Sequence, residues 1–118
     1  MAYDEELAHR VRELLGEEGG LTGQRMFGGL AFLLNGHMSV AVPSRGGCLV
    51  RVQPGATDAA LGRPHTSPFE TAGRPVSGSI RVSTEGLQTK RQLTHWVRQG
   101  VEFARTLPPK GASAGAGG

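Results

Sequence analysis

The stretch Arg25-Met26-Phe27-Gly28-Gly29-Leu30-Ala31-Phe32-Leu33-Leu34-Asn35-Gly36-His37-Met38-Ser39-Val40-Ala41-Val42 constrains the fold more than any other. It holds the densest apolar run in the chain, and an Asn-Gly pair divides two strand-like halves. Asn-Gly between such halves is the strongest short-range signal for a β-hairpin. Side-chain pattern discriminates between its registers. A two-residue turn sets Leu34 opposite His37 and Phe32 opposite Ser39. A three-residue loop, Leu34-Asn35-Gly36, sets Phe32 opposite Met38 and Leu30 opposite Val40. Only the second gathers the large apolar groups on one face, and a one-residue slip would send them all to the other. The three-residue loop is therefore expected.

On either side of this hairpin the pattern supplies the remaining elements. Asp4 to Leu15 reads as an amphipathic helix with Leu7, Val11, Leu14 and Leu15 on one face, acidic residues at its positive end and Gly16 at its exit. A first strand, about Thr22 to Phe27, is broken or bent at Gly28-Gly29 before Leu30 to Leu34. Met38–Val42 is the second strand and Cys48–Val52 the third. A five-residue turn, 43–47, between them sets Val42, Val40 and Met38 against Cys48, Val50 and Val52. Pro54 opens a short helix that ends at Leu61 before Gly62. A short strand is expected around Pro68–Thr71, and Ser79–Ser83 alternates with Ile80 and Val82 inward. Thr89 and Gln92 have the spacing of a capping box, opening a helix whose inner face is Leu93, Trp96, Val97, Gly100, Ala104 and Leu107, with Pro108-Pro109 at its end. The order is α-β-β-β-α-β-β-α. Hairpin links require antiparallel pairing, and one apolar face per element requires two layers. An α+β fold is expected, a two-layer sandwich with a mainly antiparallel five-stranded sheet.

At 118 residues the chain fits one domain, residues 1–110, followed by a Gly/Ala/Ser tail, 111–118, that has nothing to bury and reads as disordered. One cysteine, Cys48, excludes an internal disulfide and a Cys-pair metal site. Its place in the alternation makes it an inward, inert thiol. No apolar run approaches the roughly 20 residues of a membrane helix, and the acidic N-terminus is unlike a secretory signal. No membrane association and a cytoplasmic location are expected.

The net charge of +3 is unevenly divided. Residues 1–18 carry six carboxylates against two arginines, net −4, and the remainder is net +7. There is no basic run and no aromatic interleaving of the kind that marks a nucleic-acid surface. Direct nucleic-acid binding, through Arg25, Arg45, Arg51, Arg74 and Arg81, is the alternative and is not favoured.

Enzymatic chemistry needs a nucleophile, a base or ligands at workable spacing. His9, His37, His65 and His95 stand alone, without the helical partner spacing of zinc sites. Gly28-Gly29 and Gly46-Gly47 are not followed by Lys-Ser/Thr and a helix, so the phosphate-loop pattern fails. The expectation is a chain with no catalytic residues, no metal and no cofactor. A small-molecule or enzymatic role built on the Phe27-Gly28-Gly29 bend and His37 ranks last.

Two features suggest partner binding instead. At Arg25-Met26-Phe27-Gly28-Gly29 the glycines either curve the sheet or leave backbone open to a partner, with Arg25 and Phe27 as anchors. The sheet face opposite the core carries Ala31, Leu33, Ser39, Ala41, Leu49, Arg51, Ser79 and Arg81, which is less polar than a solvated face should be. The candidate partner-binding residues are Arg25, Phe27, Gly28, Gly29, Leu33, Leu49, Arg51 and Arg81. The expected occupant is another protein, or a second copy of the chain.

A family resemblance rests on residues spread over the chain: Met1-Ala2-Tyr3-Asp4-Glu5, Met26-Phe27-Gly28-Gly29-Leu30-Ala31-Phe32, Asn35-Gly36-His37-Met38, Val50-Arg51-Val52, Gly73-Arg74-Pro75, Trp96-Val97 and Leu107-Pro108-Pro109-Lys110. In this order they resemble the TfoX/Sxy N-terminal domain over about residues 1 to 110. The resemblance implies a two-layer fold of the secretion-chaperone-like type, α-β(3)-α-β(2)-α, and a link to regulation of natural competence through transcriptional co-regulation. Competence regulators of the family carry a further C-terminal helical domain, so this chain resembles a stand-alone N-terminal domain. No catalytic or ligand-binding residues come with the resemblance. The implied function is a non-catalytic regulatory or protein-interaction module.

Overall fold

The computed structural model describes residues 3–16, 18–26, 28–71 and 73–107. The tail from 108 onward, and with it the expected disorder of 111–118, lies outside them. Asp4 caps the first helix, α1 (Glu5–Leu15), its carboxylate accepting from the Leu7 amide at 3.0 Å. Six strands follow: β1 (Leu21–Met26), β2 (Gly29–Leu34), β3 (His37–Val42), β4 (Cys48–Arg51), β5 (Thr66–Thr71) and β6 (Arg74–Val82). A 3₁₀ turn (Pro54–Ala56) and α2 (Thr57–Leu61) separate β4 from β5, a second 3₁₀ turn (Thr84–Leu87) follows β6, and α3 (Lys90–Arg105) closes the order.

All pairings are antiparallel, in the order β1-β2-β3-β4-β6-β5. The α+β class and antiparallel sheet agree with expectation, but the sheet has six strands where five were expected. Of the break and the bend expected at Gly28-Gly29, the chain makes the break. The chain reverses there, so that Met26 pairs with Gly29 and β1 returns along β2 as an edge strand. Gly28 takes the left-handed φ of +74° that such a reversal requires. β1 was inconspicuous because only Leu21 and Met26 are even partly buried, and its other four residues are exposed.

The central hairpin corrects the register as well. Asn35 (φ +53°) and Gly36 (φ +88°) form the two-residue turn set aside above, with Leu34 opposite His37 and Leu33 opposite Met38. The register then shifts: Phe32 pairs with Val40, Ala31 with Ala41 and Leu30 with Val42, leaving Ser39 as the extra residue of a β-bulge. The bulge brings Phe32 and Val40 onto one face despite the tight turn. It also moves Met38 to the opposite face from the one expected. Beyond it, Val40 pairs with Val50 as the five-residue turn implied.

One face of the sheet carries the core. Phe32, Val40, Val42, Cys48, Val50, Ile80 and Val82 meet Leu7, Val11 and Leu15 of α1 and Leu93, Trp96 and Val97 of α3. Thr89 and Gln92 close both halves of the capping box, at 3.1 and 2.9 Å. A side-chain pair, Arg105 to Glu18, ties the end of α3 to the segment after α1.

Candidate functional site

The candidate residues divide into two groups. Arg25, Gly28 and Gly29 lie at the β1–β2 reversal, and Phe27 lies outside the described residues. Arg25 is exposed, opposite Leu30. Gly28 is exposed beside Ser44, whose Oγ would lie 2.6 Å from a Cβ at that position. Gly29 is buried, and a Cβ there would collide with the Val42 carbonyl and lie 3.0 Å from Pro43 Cα. The close approach at Gly29 is therefore to the chain's own backbone. His37 stands at the other end of β2, paired with Leu34. Five residues of extended strand, about 17 Å, separate it from Gly29. The bend and the histidine do not form one site.

The side chain of Arg51 reaches Phe103 of α3, whereas Leu33, Leu49 and Arg81 belong to the face away from the helices. Leu49 is at its centre, buried with Ala31 and Ala41. Met26, Leu33, Met38 and Phe69 pack around these three. Phe69 comes from edge strand β5, beyond β6, and joins the same cluster. This face therefore carries an apolar patch whose centre is buried and whose border is partly exposed.

Arg51 and Arg81 are held by the fold. The Arg51 guanidinium stacks over the Phe103 ring at 4.4 Å, and Nε donates to the Gly78 carbonyl at 3.2 Å. Partial burial pushes the Arg51 pKa down from its ordinary value. Arg81 donates from Nη2 to the Gly46 carbonyl at 3.3 Å. Arg25, Arg45, Arg51, Arg74 and Arg81 do not converge: Arg25 is on β1 at one edge of the sheet, and Arg74 begins β6 near the other.

Cys48 faces the core with 1% of its surface exposed. Burial pushes its thiol up to about 12, partly offset by Arg10 and reinforced by Asp4. At neutral pH it is a neutral thiol, inert as expected.

Sequence reasoning missed a second concavity, where the loop after α2 meets the first half of α3. Arg63, His65, Arg91, His95 and Trp96 border it. The spacing of these residues carries no signal, because loop and helix are brought together only by the fold. Among the described residues no three His, Cys, Asp or Glu side chains are grouped as a metal site would need. Among the same residues no helix is long and apolar enough to cross a membrane.

No curated protein matches the chain at a significant level. The model of the TfoX N-terminal domain family matches residues 13–104. That span takes in all six strands, α2 and nearly all of α3. With the fold and its helix-free face described, the chain belongs to the TfoX N-terminal domain family, a competence-related module at the level of the family.

Proposed function

We propose that the domain is a non-catalytic regulatory module that works through protein contact, using the apolar patch on the sheet face away from the helices as its docking surface. One observation carries this reading: Met26, Leu33, Met38 and Phe69 form a partly exposed apolar rim around buried Ala31, Ala41 and Leu49. Contiguous apolar surface on a small domain marks interaction sites. Methionine side chains adapt to varied partners because they are unbranched and polarisable. Arg81 pairs with Leu49 at the centre of the patch, and arginine is among the residue types that anchor interfaces. Membership of the family supports placing the contact in regulation of competence. The partner is another protein, or a second copy docking through the same patch.

Met26→Gln with Met38→Gln tests this, because both side chains are partly exposed and glutamine keeps their length. Wild-type domain should retain a defined partner from native lysate, or self-associate by light scattering, and the double variant should do neither while keeping its circular dichroism spectrum. A wild-type domain that retains no protein and stays monomeric at high concentration would overturn the reading.

A further inference from the structure

The concavity between the α2–β5 loop and α3 has the chemistry of an anion site. It encloses about 360 Å³, within the range of small-molecule sites. Arg63 and His65 form one side, and Arg91, His95 and Trp96 of α3 the other. An adjoining depression extends it along α3 to Lys90 and Arg98. Among the described residues no carboxylate borders either depression. Glu85, next in sequence to Gly86 of the lining, is exposed and electrostatically coupled to His65.

Two further features favour bound negative charge here. Lys90 and Arg91 open α3, and its first turn has no acidic residue. Cations there oppose the positive end of the helix dipole, an arrangement that bound negative charge would relieve. His95 forms part of the wall, its ring edge-on to Trp96 at 4.7 Å and its Nε2 shielded from solvent. His65 holds φ of +68°, uncommon for a residue with a Cβ, and its carbonyl accepts from the Ser83 amide at 2.9 Å. Such strain clusters at sites of function. Here it sets His65 against Gly86, which would bring a Cβ to 2.9 Å of His65 Cβ.

We propose that this cleft binds a small phosphate-bearing ligand, held by Arg63 and Arg91 with His65 as a hydrogen-bond donor and His95 in the wall beside it. Guanidinium groups match phosphate oxygens with paired donors. A concavity of about 360 Å³ between a loop and a helix fits a compact polyanion in size, whereas a long nucleic-acid backbone would follow an extended stripe.

The test titrates the full chain at low salt with inorganic pyrophosphate, with ATP and with a short single-stranded oligonucleotide, reading heat and the ring signals of the four histidines by NMR. Saturable binding of one pyrophosphate or ATP per chain is expected, with His65 and His95 signals moving while those of His9 and His37 stay. Equal affinities would assign recognition to the phosphates alone, and tighter ATP binding would assign it to a nucleotide. Arg63 and Arg91 are both exposed, so Arg63→Gln and Arg91→Gln should fold and should each weaken binding by about tenfold or more. Arg25→Gln, at the distant β1 edge, should change it by less than about twofold. Absence of saturable binding to both small phosphates would overturn the proposal. An equal loss in Arg25→Gln, which would mean diffuse attraction to net charge, would do so too. Binding of the oligonucleotide alone would overturn it in favour of a nucleic-acid surface.

Discussion

Gly100 of α3 lies directly against the carbonyl of Ser39, the residue that the β-bulge leaves without a cross-strand partner. A Cβ at Gly100 would collide with that oxygen and come within 2.9 Å of Val40 Cγ2. The Ser39 hydroxyl meanwhile donates to the Phe32 carbonyl of the neighbouring strand at 3.0 Å. The bulge and the glycine therefore fit one another, and α3 settles close to the sheet only because both are present.

Gly100→Ala tests that fit. Alanine is worth about 1 kcal/mol more than glycine in a helix interior, so propensity alone predicts a stabilised variant. Overpacking against backbone, which cannot rotate away, costs about 1–3 kcal/mol. The expected result is a net loss of stability in urea denaturation, larger for Gly100→Val. A Gly100→Ala variant more stable than wild type would show that the helix can move off the sheet freely.

What the sequence revealed followed the range of the signal. The α3 cap was legible because Thr89 and Gln92 are three residues apart and complete their bonds locally. The Val40–Val50 register was legible because alternation on both strands points the same way. The Ser39 bulge was not, because the feature that accommodates it, Gly100, is far along the chain. Without the bulge, side-chain alternation favoured the wrong loop. β1 escaped as a separate strand because an edge strand with four exposed residues carries little apolar pattern. Alternation placed Leu49 in the outer cluster, where Met26 and Phe69 also pack, but nothing local indicates that the Arg51 side chain reaches Phe103 of α3 instead.

Arg51 was expected to serve a partner, and the geometry assigns it work inside the domain. Arg51→Ala removes both the stacking on Phe103 at 4.4 Å and the hydrogen bond to Gly78. A partly exposed cation–π contact is worth about 0.5–1 kcal/mol, and a charged hydrogen bond about 1.5–3. A loss of about 1–3 kcal/mol in the free domain is expected, read from the urea midpoint with no partner present. Arg51→Lys should recover little, since an ammonium lacks the planar fork and stacking face. Unchanged stability in Arg51→Ala would return the residue to the role of a surface anchor.

The Cys48 thiol should resist an aromatic disulfide reagent at pH 8 in the native protein and react at the rate of a free thiol in urea. Attack needs the thiolate, which burial suppresses by raising the pKa to about 12. The same shift has a consequence for stability. The folded value lies above the ordinary 9.0, so the contribution is complete below pH 9 and is lost as pH rises towards 12. Cys48→Ala should remove that alkaline component from the pH dependence of the urea midpoint. Rapid labelling of the native thiol would contradict its burial.

His95 gives the opposite dependence at acid pH. Burial, and secondarily the Arg63 guanidinium, push its pKa below the ordinary 6.5, so the fold favours the neutral ring. The unfolded chain binds the proton more readily, and the stability contribution is therefore complete above pH 6.5 and lost as pH falls through the lowered value. Comparing wild type with His95→Gln isolates this from carboxylate titration: the difference between their urea midpoints should change between pH 7.5 and 5, moving against wild type at the lower pH. Arg63→Gln should raise the His95 pKa seen by NMR, because it removes the repelling charge while leaving the ring against Trp96. A His95 pKa at or above 6.5 in the free protein would mean that the ring is solvated, and the shielded Nε2 would then have water as its partner.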